Sequence, residues 1–202
     1  MATKVEIANN ALIQLGVRPT ISDLESDTST EARTMNSLFE TTKRTAIRKY
    51  RPNCCVARTT LSQDADYTPC WGFSSGYKYP KAMVKLLEVN NKTPNPDDCP
   101  IEGDWILSHY KKPSEQGESV EKIQIKYLCD KKTELLDDDF ATLLSYELAF
   151  AAAPVINQAR EAIVKTLLDQ YADRWAADNA MENGFTVEEY DPLYDNIKIT
   201  RE

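Results

Sequence analysis

Gly72-Phe73-Ser74-Ser75-Gly76 spells G-x-S-x-G, the pattern in which a tight strand-to-helix turn exposes a serine nucleophile beside backbone N–H donors. Asp97, Asp98 or Asp104 and then His109, the single histidine, would supply the remaining members of a triad. The surroundings argue against it. Pro69 precedes the pattern, Tyr77-Lys78-Tyr79-Pro80 follows where a helix should begin, and βαβ alternation is missing. A glycine- and serine-rich loop is the better reading. Asp137-Asp138-Asp139 suggests metal ligands, but consecutive helical side chains point ~100° apart and do not converge. A helix N-cap followed by acidic first-turn residues, favoured by the helix dipole, explains the run. The cysteines, Cys54, Cys55, Cys70, Cys99 and Cys129, form no C-x-x-C pair, so packed, reduced thiols are expected in place of a zinc site. Glycan hydrolysis needs two carboxyls ~5–9 Å apart across a cleft, and the 32 acidic residues supply candidates without singling out a pair. No catalytic residue, cofactor or metal is therefore expected.

The 202 residues, 42% hydrophobic with a formal net charge of −8 and a mean hydropathy of −0.51, suffice for one core or for a helical core with a small satellite. The longest strongly apolar run, residues 148–156, is shorter than the ~20 residues that span a bilayer. The first residues, Met1-Ala2-Thr3-Lys4-Val5-Glu6, lack the apolar core of a signal peptide. The expectation is cytoplasmic synthesis and no membrane contact. Charge is uneven: residues 1–52 carry 8 basic and 6 acidic side chains, residues 53–132 carry 11 of each, and residues 133–202 carry 5 and 15. The acidic last third disfavours nucleic acid as a ligand, because phosphate contacts need Lys and Arg. It complements the basic cluster Lys43, Arg44, Arg48, Lys49 and Arg51, either within one subunit or between neighbours.

Periodicity assigns the elements that must hold these groups. Thr3 and Glu6 form a capping box, Val5, Ala8, Leu12 and Leu15 recur at helical spacing, and Gly16 ends a helix over about residues 4–15. Thr28 and Glu31 suggest a second capping box, followed by a stripe of Ala32, Met35, Leu38, Phe39, Ala46 and Ile47 up to Pro52. Between residues 53 and 132 the pattern changes. Lys122 to Tyr127 alternates like a half-buried strand, Met83–Val89 and Trp105–Ser108 read as shorter strands, and proline-rich connections hold Trp71, Phe73, Tyr77 and Tyr79. Helical period returns over residues 133–184. Phe140, Leu143, Leu144, Leu148 and Ala151 make one face. Pro154 breaks or kinks that helix or starts the next, and Ile156, Ala159, Ile163, Leu167, Tyr171 and Trp175 continue to Asn183-Gly184. Residues 185–202 lose helical period but keep Phe185, Val187, Tyr190, Leu193, Tyr194, Ile197 and Ile199 among acidic residues, a mixture that either folds back on its own domain or, the favoured reading, docks on a partner. The expected fold is α+β, mainly α: a helical bundle built from residues 1–52 and 133–184, a small antiparallel β insert at 53–132, and an extended C-terminal tail at 185–202.

Several separated pieces share one order: Ser22, Ser26, Glu31-Ala32-Arg33, Asn36 and Leu38-Phe39-Glu40; Tyr77-Lys78-Tyr79-Pro80; Leu87-Glu88-Val89; Glu102-Gly103; Asp138-Asp139-Phe140; and Leu148-Ala149 through Pro154. Over about residues 2–182 the chain resembles the head-to-tail adaptor family of short-tailed bacteriophages, also called tail tubular protein A. It departs from that pattern at Arg51-Pro52-Asn53-Cys54-Cys55, where a Pro-Trp-Asn-Phe-like stretch is usual. The resemblance implies a structural virion protein at the head-to-tail interface, assembled in the host cytoplasm. It implies a ring of twelve copies that joins the portal protein to the tail nozzle protein and helps retain and conduct DNA, which passes the lumen without sequence-specific binding. No family catalytic residue maps onto this chain, so the expectation is not an enzyme. The alternative is a virion-associated cell-wall or polysaccharide hydrolase. The residues expected to meet partners are the apolar set of the tail, Trp71 and Phe73 on the insert, and Arg44 and Arg48 on the second helix.

Overall fold

The computed structural model describes residues 2–64, 66–67, 69, 71–95, 97–108, 112–113, 119–120 and 122–182. Its class is α+β, mainly α, with four helices and 49% helix among the described residues. The chain divides into two compact units, one made of Met1–Cys54 and Lys131–Glu202, the other of Cys55–Asp130.

In the first unit, α1 (Lys4–Gln14) starts at the expected box: Thr3 Oγ1 accepts from the Glu6 N–H at 3.2 Å and the Glu6 carboxylate accepts from the Thr3 N–H at 2.7 Å. Gly16 closes it at φ +71°, where the Val17 N–H donates back to the Leu12 carbonyl at 2.9 Å. Helix α2 (Thr30–Tyr50) corrects the second box. Its N-cap is Ser29, whose hydroxyl accepts from the Ala32 N–H, and the left-handed Arg51 ends it before Pro52. Helix α3 (Asp138–Ile156) starts at Asp137, which has cap backbone geometry but no side-chain cap bond.

Pro154 lies inside α3, two residues before its end. The break comes instead at Asn157, with φ −155° and ψ 81°, whose Nδ2 donates to the Leu15 carbonyl at 2.9 Å. Helix α4 (Glu161–Glu182) therefore starts five residues later than periodicity suggests. Its buried face is Val164, Leu168 and Trp175, while Ile163 is exposed; in α3, Ala152 and Ala153 are buried and Ala151 is not. Helix α3 touches each of the other three helices. By length and composition it would reach across a membrane, and its buried Phe140, Leu143, Leu144 and Leu148 face its neighbours. Burial of such side chains contributes roughly 1.5–3 kcal/mol each.

The second unit holds β1 (Val56–Ser62), β2 (Ser75–Lys78), β3 (Met83–Val89), β4 (Ile101–Glu102), β5 (Trp105–Ser108), β6 (Lys112–Pro113), β7 (Ser119–Val120) and β8 (Lys122–Cys129). They form antiparallel sheets ordered β1-β8-β3 and β2-β5-β4 and a β6-β7 ribbon. The alternation along β8 is as expected, Ile123, Ile125 and Tyr127 inward and Lys122 and Gln124 outward. Five strands were not anticipated: the two-residue β4, β6 and β7, and the longer β1 and β2. Strand β1 alternates exposed Arg58, Thr60 and Ser62 with half-buried Ala57, Thr59 and Leu61, a weak pattern because its inward side chains are small. Strand β2 occupies the glycine- and serine-rich stretch. It buries Tyr77 to 1% exposure in the core with Ile106, Ile123 and Ile125, which corrects the placement of Tyr77 on an exposed connection.

Candidate partner-binding surfaces

Helix α2 presents its charges unequally. Stepping by fours, Met35, Phe39, Lys43 and Ile47 line one buried stripe, so Lys43 leaves the surface cluster expected from sequence. Its Nζ reaches the Lys131 carbonyl at 3.3 Å and Glu40 Oε2 at 3.0 Å, and its aliphatic stem packs among apolar neighbours. Lys4 also binds Glu40, at 2.5 Å. Burial alone would raise the Glu40 carboxyl, but the hydrogen bonds from Lys4 and Lys43 outweigh it and hold the group below its ordinary value. Lys49 pairs with Glu147 of α3 at 2.8 Å. The Tyr50 hydroxyl donates to the same carboxylate at 2.5 Å, and burial, then Glu147, push the phenol's pKa far up. Part of the basic cluster is thus paired within the chain. Arg44 and Arg48, four residues apart on α2, are exposed.

Trp71 is 87% exposed on the segment between β1 and β2, beside Gly72 at φ +81°. Phe73 is half-buried. Ser74 lies just before β2, with no helix following, and its hydroxyl donates to the Ser108 carbonyl at 3.4 Å. A nucleophile elbow needs the opposite order, strand then helix. The carboxyls of Glu6, Asp23 and Glu40 have pKa values shifted downward, away from what a general acid requires.

Sequence reasoning missed two features of the second unit. Tyr67 stacks on Trp105 with ring centroids 4.0 Å apart and planes within 7°, and the Lys78 ammonium stands 5.6 Å from the Trp105 centroid. A hollow of about 370 Å³ opens among Val89, Asn90, Pro94, Asp98, Cys99 and Ser108. Its signal was Asn90-Asn91, where both residues take φ near +51° and +61°, the turn preference of asparagine. In the first unit, a smaller hollow of about 150 Å³ is lined by Asp137, Asp139, Tyr171, Arg174, Trp175 and Asp178, among others; no metal-holding group of three ligands occurs among the described residues.

Arg44 and Arg48 belong to one unit and Trp71 and Phe73 to the other. Phe185, Val187, Tyr190, Leu193, Tyr194, Ile197 and Ile199 lie outside the described residues, as do His109 and Cys70. No protein-family model and no curated protein matches this chain.

Proposed function

We propose that this protein is a structural head-to-tail adaptor. In this reading copies form a ring between portal and tail nozzle, and the protein acts by binding and assembly. The helices pack as a bundle interrupted by the β insert, and the C-terminal segment after Gly184 leaves the bundle and docks on the portal. The observation that carries the reading is the architecture itself. A mainly helical unit is split between α2 and α3 by antiparallel strands, the arrangement implied by the order of motifs shared with the adaptor family. Exposed Arg44, Arg48 and Trp71 supply polar and aromatic anchors of the kinds enriched at interfaces. Acidic side chains facing a ring lumen would repel DNA phosphates and let the duplex slide.

The test is electron microscopy of the purified protein mixed with portal rings, with and without residues 185–202. The full chain should decorate portal rings. The truncated chain should fold with nearly unchanged thermal stability and fail to co-migrate with portal. A weak contact of each segment would be multiplied round a ring. Portal binding equally tight without the segment would eliminate the anchor, and a full chain that ignores portal would eliminate the adaptor.

A further inference from the structure

Trp71 and the hollow described above are complementary, and both belong to the second unit. An indole exposed to 87% leaves one of the largest apolar side chains in water, and tryptophan is the residue type most concentrated at interface hot spots. The hollow, about 370 Å³, is roomy enough for an indole, which is smaller than the drug-sized ligands that fill pockets of ~300–1,000 Å³. Its floor is apolar or half-buried: Val89, Pro94 and the Cys99 thiol, with buried Ser108. Asp98 and Lys92 stand exposed at its rim. The indole N–H is a donor without acceptor capacity, and the Asp98 carboxylate is the complementary acceptor. Asn90 also lines the hollow and keeps its Nδ2 buried without a hydrogen-bond partner.

We propose that Trp71 of one copy inserts into the Val89–Asn90–Pro94–Cys99–Ser108 hollow of a second copy of this chain, with its indole N–H on Asp98. The inference rests on the ring reading, which supplies the neighbouring copy, and names one of the contacts that reading needs. The area argues for a joint weak on its own. An aromatic side chain buries ~150–250 Å², well under the ~1,200 Å² of a stable specific pair. One insertion should therefore hold copies together only at high concentration, and a closed assembly would accumulate several.

The experiment uses the full chain without portal. Sedimentation should show concentration-dependent association, and acrylamide quenching of tryptophan should fall as association proceeds, since Trp105 and Trp175 are already packed. Trp71→Ala should weaken association at least tenfold with the helical circular-dichroism signal unchanged. Asp98→Arg, at an exposed rim position, should do the same by covering the hollow. Mixing the two variants should restore pairs and nothing larger, because one supplies only the hollow and the other only the indole. Cys99 alkylation, followed at the peptide level, should slow on association in the parent and not in Trp71→Ala. The proposal is overturned if the parent stays monomeric at high concentration, or if Trp71→Ala associates like the parent. It is also overturned if the mixed variants do not pair, or if quenching falls only when portal is added, which would make the portal the occupant. Loss of portal binding with self-association intact would sink the adaptor reading alone.

Discussion

Gly76 faces the Tyr67 ring so closely that a Cβ would stand 2.3 Å from it, inside any allowed contact. Its neighbours are the tightly stacked Tyr67 and Trp105 rings, so an added methyl has to push Tyr67 off the indole. Gly76→Ala should therefore reduce the near-ultraviolet aromatic circular dichroism and destabilise the protein by ~1–3 kcal/mol, the usual cost of overpacking. A variant that melts with the parent and keeps its aromatic signal would show that the stack is not held there. This constraint was invisible in the sequence, where Gly76 belongs to a loop-like string of glycine and serine. Lys43 was hidden for a different reason. Periodicity places it between Phe39 and Ile47 on the apolar stripe, yet its charge assigns it to the surface. The outcome was decided by two oxygen partners, the Lys131 carbonyl and Glu40, of which the carbonyl is 88 residues away in sequence.

Helix boundaries were set by single residues with unusual backbone needs. Gly16, Arg51 and Asn157 each end a helix, and only Gly16 and the Pro52 after Arg51 announce it by residue type. Asn157 replaces Pro154 as the breaker, since a proline two residues from a helix end removes one late hydrogen bond while the turn continues. In the first turns of α4, Val164 and Leu168 are buried in place of Ile163 and Leu167, while Trp175 is buried as expected. Asn157 also satisfies the Leu15 carbonyl at the end of α1. Asn157→Ala should leave helix content intact and lower stability by ~1–2 kcal/mol, the cost of a half-buried carbonyl losing its partner, measured by urea denaturation. An unchanged midpoint would mean water replaces the amide. Strands with strong alternation, β8 above all, were legible. Strands β1 and β2 were not, because their partners β8 and β5 lie about 60–72 and about 30 residues downstream, and pairing rather than local pattern defines them.

At the scale of the molecule, the asymmetry of charge is partly spent inside the chain, through Lys49–Glu147. Arg44 and Arg48 are exposed on α2, and Asp169 and Asp173 are exposed on α4. If copies meet through these opposite charges, Arg44→Glu with Arg48→Glu should weaken their association at least tenfold. Added salt should weaken any self-association of the parent as well, since exposed pairs are screened within ~10 Å at 0.1 M ionic strength. Sedimentation across a salt series reads both effects, and an assembly indifferent to salt and to charge reversal removes α2 from the contact. The mixed helical and antiparallel class was legible from changes in periodicity. The partner surfaces were legible only as residue types, because a hollow such as that beside Asn90 is formed by segments that meet only after folding.

Strand β1 opens the second unit and β8 closes it, paired from Val56↔Leu128 to Ser62↔Lys122. Helices α1 and α2 are separated in sequence from α3 by the whole insert, and contacts such as Lys49 with Glu147 span 98 residues. Closing an open loop of that length costs roughly 4 kcal/mol in chain entropy, by (3/2)RT ln n. Zipping β1 to β8 first brings the two ends of the insert to the ~5 Å spacing of neighbouring strands. The long loop then acts as a short one, and the halves of the helical unit meet at little further entropic cost. The strand-rich unit is thereby the kinetic staple of the helical one: mutations that loosen the β1–β8 ladder should slow the folding of helices that contain none of the mutated residues.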